Sequence, residues 1–319
     1  QVSFTYPGVS ISASFTGTSV AAKVRPNSGY FMVELDDQQP FKIKASETDS
    51  TLNISTSLSQ GEHHIKLIYA QEGYEQNPTF YGFIIDANAQ MLPHPPLPNR
   101  RIEFIGNSIT CGYGVEADSA TEHFSYDTEN HYYTYAAITA RTLNAQELVV
   151  ARSGIGIYKN YGGPIEGTQG LTMPDKYHLT LFTDNAITPD MERWDHTLFH
   201  PDVLCLNLGT NDTSLDTYDT SLMKTAYTNF IAHLRQIYPD TKIILLCGSM
   251  MNGRALTDCQ TVLDEVQQQL ADDNIFRFNF TPQDGSLGYG ADYHPSKLQQ
   301  QKMANELIPF VRQITNWDN

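Results

Sequence analysis

Long hydrophobic runs are absent from this sequence of 319 residues. No stretch comes near the roughly 18 uninterrupted apolar residues that a helix needs to cross a bilayer. The opening segment, QVSFTYPGVSISASF, also lacks the basic start and the apolar centre of a signal peptide. The sequence therefore predicts no membrane-spanning segment.

Basic residues are few. Only 20 Lys and Arg stand against 36 Asp and Glu, which gives a formal net charge of −16 at pH 7. Nucleic acids and anionic membrane surfaces would repel such a chain, so we predict that neither is a partner. A neutral or cationic partner is favoured instead.

Cysteine is also scarce, with four residues at positions 111, 205, 247 and 259. Their spacing matches no metal-ligand motif. Cys205 and Cys247 lie inside the apolar runs LCLNL and IILLCG, which are typical of buried strands. We therefore predict buried free thiols and no metal site.

The first ninety residues alternate between apolar and polar side chains with a period of two, which is typical of half-buried β-strands. The alternating positions include Val9, Ile11, Ala13 and Phe15. Turn signals such as PNSG, LDDQQP, SQGE and QNP recur about every ten residues. We predict an antiparallel β-sandwich of the jelly-roll kind over residues 1–90.

The stretch MLPHPPLPNR, residues 91–100, contains four prolines. Proline has no backbone N–H and a fixed φ, so neither a helix nor a central strand is expected here. We predict an extended connector that marks the domain boundary.

Beyond residue 100 the pattern changes to short apolar runs that alternate with helical periodicity. The runs are 101–106, 146–151, 203–209, 242–248 and 275–280, and the helical patterns lie around 129–143, 219–237, 257–271 and 297–313. Apolar strands separated by helices predict a mostly parallel sheet covered on both faces, an α/β/α domain over residues 101–319. Residues 152–202 show little periodicity and are predicted to form long loops.

Ser108 follows the first of these strands, in the stretch GNSITCGYG (106–114). In an open α/β sheet, ligands bind beyond the carboxyl ends of the strands. The flanking glycines let the backbone turn sharply and let a ligand come close. Ser108 is thus a candidate nucleophile, but a serine here is equally suited to capping a helix, and both roles stay open.

Two further strand ends carry hydrogen-bond donors. The third strand ends in NLGTND, where the side-chain amide of Asn211 is a suitable donor to a developing oxyanion. The second strand runs into SGIG (153–156), where Gly154 or Gly156 offers a backbone N–H. Ordinary turn chemistry accounts for each stretch equally well when it is taken alone.

Among ten histidines, His294 is best placed to act as a general base. It lies in DYHPSKLQQ, where Ser296 and Gln299 form a capping-box pattern and predict a helix that begins near Lys297. Such a helix would hold the preceding loop rigidly. The carboxylate of Asp292 would fix the tautomer of the imidazole.

These stretches occur in one fixed order along the chain. They resemble the motifs of the GDSL or SGNH hydrolases, which are matched by GNSIT (106–110), SGIG (153–156), GTND (209–212) and DYHPS (292–296). The resemblance covers residues 101–313. With a β-sandwich in front, the chain is most similar to carbohydrate esterase family 2, whose members deacetylate plant cell-wall polysaccharides.

The resemblance implies roles for individual residues of this chain. Ser108 would be the nucleophile and His294 the general base. The backbone N–H groups of Ser108 and Gly154 and the side chain of Asn211 would form the oxyanion hole. No metal or organic cofactor is implied.

The sequence departs from the wider superfamily at two positions. Asn107 precedes the serine, where aspartate is common, and Ala291 stands three residues before His294, where the acid is expected. Asp292 lies two residues before His294 and is our candidate for the third catalytic residue. It either orients the imidazole or points elsewhere, in which case a backbone carbonyl aligns a Ser–His dyad.

The resemblance also implies the reaction, which is removal of O-acetyl groups from xylan or glucomannan through an acetyl-enzyme intermediate. The expected partner is an acetylated plant polysaccharide or oligosaccharide. Four aromatic residues near the motifs are candidates for stacking on sugar rings. They are Tyr113, Tyr158, Tyr161 and Trp194.

Two other functions fit the same residues. One is a short-chain lipid or aryl esterase on the same scaffold, and the other is a carbohydrate-binding protein without catalytic activity. The preferred acyl-chain length distinguishes a lipid or aryl esterase from a deacetylase. Reaction with a serine-directed covalent probe distinguishes an enzyme from a binding protein without catalytic activity. The expected location is outside the cell or on its surface, with the cytoplasm as the alternative, and the oligomeric state is left open.

Overall fold

The computed structural model describes residues 1–317. The chain forms two compact units, the first spanning Gln1–Leu97 and the second beginning at Pro98. Within the described residues, no helix combines the length and the apolar character that a bilayer-spanning segment needs.

The first unit consists of two antiparallel sheets. Its strands are β1 (Val2–Ser3), β2 (Ser10–Gly17), β3 (Val20–Val24), β4 (Tyr30–Leu35), β5 (Phe41–Lys44), β6 (Thr51–Ser55), β7 (Gly61–Tyr69), β8 (Thr79–Ile85) and β9 (Met91–Leu92). One sheet has the order β1-β8-β3-β6 and the other β5-β4-β7-β2-β9, and all neighbouring pairs are antiparallel. The predicted antiparallel sandwich is confirmed.

Apolar side chains from both sheets meet in one buried cluster. Phe15 and Leu67 come from neighbouring strands of one sheet, and Val20 and Ala22 come from β3 of the other. Burying a large apolar side chain stabilises the fold by roughly 1.5–3 kcal/mol. The alternation in the sequence therefore marks the residues that form this core.

The predicted connector starts later than expected. Met91 and Leu92 form β9, which pairs with Phe15 and Ser14 of β2. Both residues have a backbone N–H that can take part in a sheet, whereas Pro93 has none and ends the strand. The irregular proline-rich segment thus begins only after Leu92.

The second unit has a parallel sheet with helices between its strands. Its elements are β10 (Arg100–Gly106), α1 (Ser108–Cys111), α2 (Tyr135–Thr142), β11 (Ala145–Ala151), α3 (Met173–Lys176), β12 (Val203–Asn207), α4 (Thr220–Ile237), β13 (Lys242–Cys247), α5 (Gly253–Leu270), β14 (Ile275–Asn279) and α6 (Lys297–Thr315). The order is β11-β10-β12-β13-β14, and each neighbouring pair is parallel. The predicted α/β architecture and the long loops between 152 and 202 are confirmed.

The two faces of this sheet are covered by different helices. Ile102 and Phe104 of β10 belong to a buried cluster that includes residues of α2 and α6. Glu103 lies between them in the strand and so points to the opposite face. There it accepts a hydrogen bond from the hydroxyl of Tyr177, whose ring packs edge-on against Phe230 of α4.

The register of the parallel sheet brings the motif-bearing loops together. Gly106, the last residue of β10, pairs with Ala151 of β11 on one side and with Asn207 of β12 on the other. The loops that follow these three strands therefore leave the sheet at the same edge. Ligands bind at this edge in open α/β folds.

The cysteines lie where the sequence predicted. All four are free and buried. Cys205 and Cys247 lie in the central strands β12 and β13, whereas Cys111 and Cys259 lie in α1 and α5.

Candidate active site

Ser108 is the first residue of the short helix α1. The helix is capped by Asn107, whose side-chain oxygen accepts a hydrogen bond from the N–H of Ile109 (3.1 Å). The capping role that the sequence left open for Ser108 is thus filled by its neighbour. The serine side chain is available for other chemistry, although Ser108 is only 6% exposed.

The hydroxyl of Ser108 lies against His294. Oγ is 2.9 Å from Nε2 of the imidazole. On the other side of the ring, Nδ1 is 3.0 Å from the carbonyl oxygen of Ala291. A carbonyl can only accept, so Nδ1 carries the proton, and Nε2 is left with a lone pair that accepts from the serine. This is the tautomer that a general base requires.

Burial keeps the His294 imidazole neutral. It lowers the pKa of His294 to about 4, although the hydrogen bond to Ala291 and the charge of Asp292 act in the opposite direction. Near neutral pH the ring is therefore in its basic form. The helix that follows begins at Lys297 and is capped by Ser296, whose hydroxyl accepts from the N–H of Gln299, as predicted.

The structure corrects the expectation that Asp292 orients His294 directly. The carboxylate accepts hydrogen bonds from the hydroxyl of Tyr113 (2.7 Å), the Nδ1 of His123 (2.9 Å) and the backbone N–H of Phe124 (3.2 Å). Asp292 has a φ of 49°, in the left-handed region. This backbone conformation turns the carboxylate away from the imidazole, and the carbonyl of Ala291 takes its place. The geometry therefore matches the other possibility that the sequence left open, a Ser–His dyad in which a backbone carbonyl aligns the imidazole.

The carboxylate of Asp292 is held in its ionised form. Burial alone would raise its pKa, but the hydrogen bonds from Tyr113, His123 and Phe124 outweigh burial and lower the pKa below its usual value. The negative charge therefore persists close to His294 without touching it.

The expected oxyanion donors lie on the loops after β11 and β12. Gly154 has a φ of 79°, a conformation that favours glycine. The N–H of Gly156 already donates to the side chain of Asn160 (3.0 Å). Of the two glycines, Gly154 thus remains the candidate donor.

The side chain of Asn211 is buried and fixed. One N–H of its amide donates to the carbonyl of Ile155 (2.7 Å). An amide nitrogen has two hydrogens, so the second remains for a ligand. The bond also ties the loop after β12 to the loop that contains Gly154.

Asp212, the last residue of the GTND motif, has a structural role in the site that the sequence did not reveal. Its fully buried carboxylate accepts four backbone hydrogen bonds, from Gly209, Ile157, Tyr158 and Lys159. A side chain at Gly156 would collide with this carboxylate, since a Cβ there would come within 2.8 Å of its oxygens. Asp212 thus holds both oxyanion loops in one arrangement.

The four predicted sugar-stacking residues lie in different surroundings. Tyr161 is 63% exposed, and its N–H donates to the carbonyl of Gly154 (2.8 Å). Tyr158 is buried, and its hydroxyl accepts from the N–H of Asp219 at the start of α4 (2.8 Å). Only Tyr161 of this pair offers an open ring face beside an oxyanion loop.

The remaining two aromatic candidates differ in what holds them. The backbone N–H of Trp194 donates to the carbonyl of His178 in the long loop (2.8 Å), which fixes the main chain and not the indole ring. Tyr113 stacks on the imidazole of His294, with ring centroids 4.0 Å apart and an angle of 22° between the planes. The structure therefore places Tyr113 next to the general base.

Three histidines outside the site form a hydrogen-bonded row. Nδ1 of His178 is 2.9 Å from Nε2 of His196, and Nε2 of His178 is 2.7 Å from Nε2 of His233. His196 also contacts the hydroxyl of Tyr238 (3.0 Å). The row joins the long loop to α4.

Comparison with known families and proteins matches both units. The model described as carbohydrate esterase 2 N-terminal matches residues 1–95, and that of the GDSL-like lipase/acylhydrolase family matches residues 104–302.

Among curated relatives, the cellulase/esterase CelE of Acetivibrio thermocellus is 36% identical over 98% of this chain. The chain spans 38% of the length of that protein. An acetylxylan esterase / glucomannan deacetylase of Cellvibrio japonicus is 30% identical over 99% of this chain and 86% of its own length.

Among solved structures, a family two carbohydrate esterase from Clostridium thermocellum in complex with cellohexaose has a TM-score of 0.89 and 34% identity. The match covers 99% of this chain and 95% of that one.

Proposed function

Because the chain belongs to the carbohydrate esterase 2 family and carries a GDSL-like acylhydrolase domain, we propose that it removes O-acetyl groups from plant cell-wall polysaccharides such as xylan and glucomannan. The observation that carries the proposal is the contact between Ser108 Oγ and His294 Nε2 (2.9 Å). A serine hydroxyl facing an unprotonated imidazole nitrogen is the arrangement of a serine esterase.

The first chemical step forms the acetyl-enzyme. Ser108 Oγ attacks the acetyl carbonyl carbon while its proton passes to Nε2 of His294. The carbonyl of Ala291 holds the protonated ring by accepting from Nδ1. The imidazolium then gives its proton to the sugar oxygen, which leaves as a hydroxyl group.

The second step releases acetate. A water molecule gives a proton to His294 and attacks the acetyl-enzyme, and Ser108 leaves with that proton. In both steps negative charge develops on the carbonyl oxygen. The N–H groups of Ser108 and Gly154 and the free amide N–H of Asn211 are our proposed donors to this oxygen.

The choice of a polysaccharide substrate is supported by relatives and by one residue of this chain. A curated relative that this chain matches over 86% of its length is named as an acetylxylan esterase / glucomannan deacetylase, and a similar solved structure is a complex with cellohexaose. In this chain, Tyr161 presents an exposed ring beside the Gly154 loop. An aromatic ring in this place is suited to stacking against a sugar.

Acetate release from acetylated xylan, glucomannan and mannan is the direct test. We expect release by the wild-type protein and almost none by Ser108→Ala. Absence of acetate release from all three polysaccharides by a folded wild-type protein would contradict the proposal.

Acyl-chain length separates this function from a lipid or aryl esterase. We expect kcat/KM to fall from acetate to butyrate and octanoate esters of the same alcohol. Equal or higher kcat/KM on the longer esters, without activity on polysaccharide, would favour the lipid esterase.

We further propose that the protein works outside the cell or on its surface, because plant cell-wall polysaccharide is found there. The test is to separate the producing cells into medium, surface and cytoplasmic fractions and to detect the protein in each fraction with an antibody. Protein confined to the cytoplasmic fraction would contradict it.

A further inference from the structure

Three aromatic rings form a stack behind the catalytic base. The ring of Tyr113 lies between His294 (4.0 Å, 22°) and Phe124 (4.6 Å, 33°). His294 thus has an aromatic surface against one face in addition to its hydrogen bonds to Ser108 and Ala291. The stack restrains rotation of the imidazole, which those two bonds alone would leave possible.

The hydroxyl of Tyr113 is fixed by the carboxylate that does not reach His294. It donates to Asp292 (2.7 Å), and Asp292 is itself held by His123 and by the N–H of Phe124. The backbone N–H of Asp292 donates to the carbonyl of Glu122 (3.0 Å). The Tyr113 ring is therefore anchored at its hydroxyl end as well as packed on both faces.

The backbone around Tyr113 connects the nucleophile to the loop of the base. The N–H of Tyr113 donates to the carbonyl of Ser108 (3.1 Å). The carbonyl of the next residue, Gly114, accepts from the N–H of Ala291 (3.0 Å). A Cβ on Gly114 would collide with the side chain of Ala291, so the two segments are in close contact.

We propose that Tyr113 is a positioning residue, through which Asp292 sets the orientation of His294. The inference rests on the proposed function, since it concerns the same catalytic pair. In a Ser–His–Asp triad the carboxylate holds the imidazole by a direct hydrogen bond. Here the carboxylate holds a tyrosine, and the tyrosine ring holds the imidazole.

The arrangement also suits the protonated state of the base. During each step His294 becomes a cation, and the face of an aromatic ring attracts a cation. Burial and the hydrogen bond to Asp292 raise the pKa of Tyr113, so its hydroxyl stays protonated and continues to donate. The ring also covers one face of the imidazole against water.

The test compares Tyr113→Phe and Tyr113→Leu in the full chain, with 4-nitrophenyl acetate as substrate. Tyr113→Phe keeps the stack and loses the bond to Asp292, and we expect kcat to fall about tenfold, the size of one lost hydrogen bond, with KM unchanged. Tyr113→Leu removes the aromatic face, and we expect a loss of about 10²-fold, as for a misplaced catalytic group.

Tyr218→Phe is the matched control. The hydroxyl of Tyr218 donates to Asp258 (2.8 Å), which is the same kind of bond in a part of the second unit that the mechanism does not use. We expect it to lower thermal stability about as much as Tyr113→Phe while leaving kcat unchanged. Equal kcat losses in the two variants would mean that Tyr113 acts only through general stability, and would overturn the proposal.

The pH profile and a double variant add independent readouts. Tyr113→Leu should shift the acid limb of kcat/KM to higher pH, because burial is the largest influence on the pKa of His294 and hydration of the imidazolium outweighs the lost attraction of the aromatic ring. Tyr113→Phe keeps the ring and should not shift it. Tyr113→Phe combined with Asp292→Ala should lose little more than either single variant, since each change removes the hydrogen bond between Tyr113 and Asp292. Fully additive losses, or a rise in KM with unchanged kcat, would contradict the positioning role.

Failure of this proposal is distinguishable from failure of the proposed function. A wild-type protein that cleaves 4-nitrophenyl acetate but not acetylated polysaccharide contradicts only the substrate. The rate of labelling by a fluorophosphonate probe measures Ser108 reactivity without turnover, and Tyr113→Leu should slow it. Wild-type-like labelling of a folded Tyr113→Leu protein would overturn the positioning role, and no labelling of the wild type would overturn both proposals.

Discussion

The carbonyl oxygen of Ala291 lies 3.0 Å from Nδ1 of His294 and accepts a hydrogen bond from the Nδ1–H. In a catalytic triad a carboxylate occupies this position. A carbonyl fixes the same tautomer but has no full charge with which to stabilise the imidazolium. The two roles of a triad carboxylate are therefore divided here. The carbonyl of Ala291 fixes the tautomer of His294, and the charge of Asp292 acts on the imidazole without direct contact.

Ser108 and His294 should behave as one unit. We expect Ser108→Ala and His294→Ala each to lower kcat by about 10⁴-fold or more, and the double variant to be little worse, because either change removes the activated nucleophile. Acetate release from a soluble acetyl ester provides the measurement. Losses that multiply in the double variant would show that the residues act separately.

Replacing Asn211 should weaken stabilisation of the transition state more than binding of the substrate. We expect Asn211→Ala to lower kcat by roughly 10²–10³-fold with little change in KM, because an oxyanion donor acts mainly after the substrate has bound. Asn160→Ala is the control, since Asn160 binds the same loop through the N–H of Gly156 and the carbonyl of Leu171. Asn160→Ala should lower the melting temperature but leave kcat nearly unchanged. A change confined to KM would make Asn211 a substrate-binding residue.

Activity should persist into acid. The acid limb of kcat/KM reports the pKa of the base in the free enzyme, and burial lowers the pKa of His294 to about 4. The neutral, active ring therefore predominates above that pH. We expect the inflection near pH 4 in assays on a soluble acetyl ester, with circular dichroism at each pH to show that the protein is folded. An inflection at pH 6.5 or above would contradict the burial argument.

Removing the Asp212 carboxylate should destabilise the second unit. Asp212→Ala would leave four buried N–H groups without their acceptor, at a cost of about 1–3 kcal/mol each before relaxation. We expect the free energy of unfolding to fall by at least about 3 kcal/mol in urea titration, which is a large effect for one substitution. Asp240→Asn, at an exposed position, should change it by less than about 0.5 kcal/mol.

The row of histidines should make stability depend on pH. Burial and then the neighbouring His196 and His233, with a smaller effect of Arg193, lower the pKa of His178 to about 4, below the value near 6.5 of an unfolded chain. Between those values the unfolded state binds more protons, so the free energy of unfolding falls as pH falls through this window. Replacing His178 by Gln should reduce that slope in urea titrations at several pH values. An unchanged slope would argue against burial of this imidazole.

The sequence is most informative where backbone geometry leaves little choice. Parallel strands must place their carboxyl ends at one edge, so the sequence alone assigns Ser108, Gly154 and Asn211 to one rim. The capping pattern at Ser296 likewise predicts the start of the last helix, which places the preceding loop and His294.

Side-chain direction is less predictable. The spacing between Asp292 and His294 does not reveal that Asp292 and Tyr293 have φ values of 49° and 62°. Non-glycine residues seldom adopt such values, and propensity gives no sign of them. The contacts of Tyr113 are unpredictable for a related reason, because its partners Asp292 and His294 are about 180 residues away in the sequence and only the fold brings them together.

The short strand β9 has a consequence for how the chain can be divided. Met91 and Leu92 cover part of the edge of β2, next to Phe15, which is fully buried. A fragment that stops at residue 90 would leave this edge with unpaired N–H and C=O groups, and open edges of this kind recruit strands from other molecules. A fragment that continues through Leu92 keeps the edge covered. A cut in the proline-rich segment that follows therefore leaves this part of β2 paired, whereas a cut before Met91 exposes it.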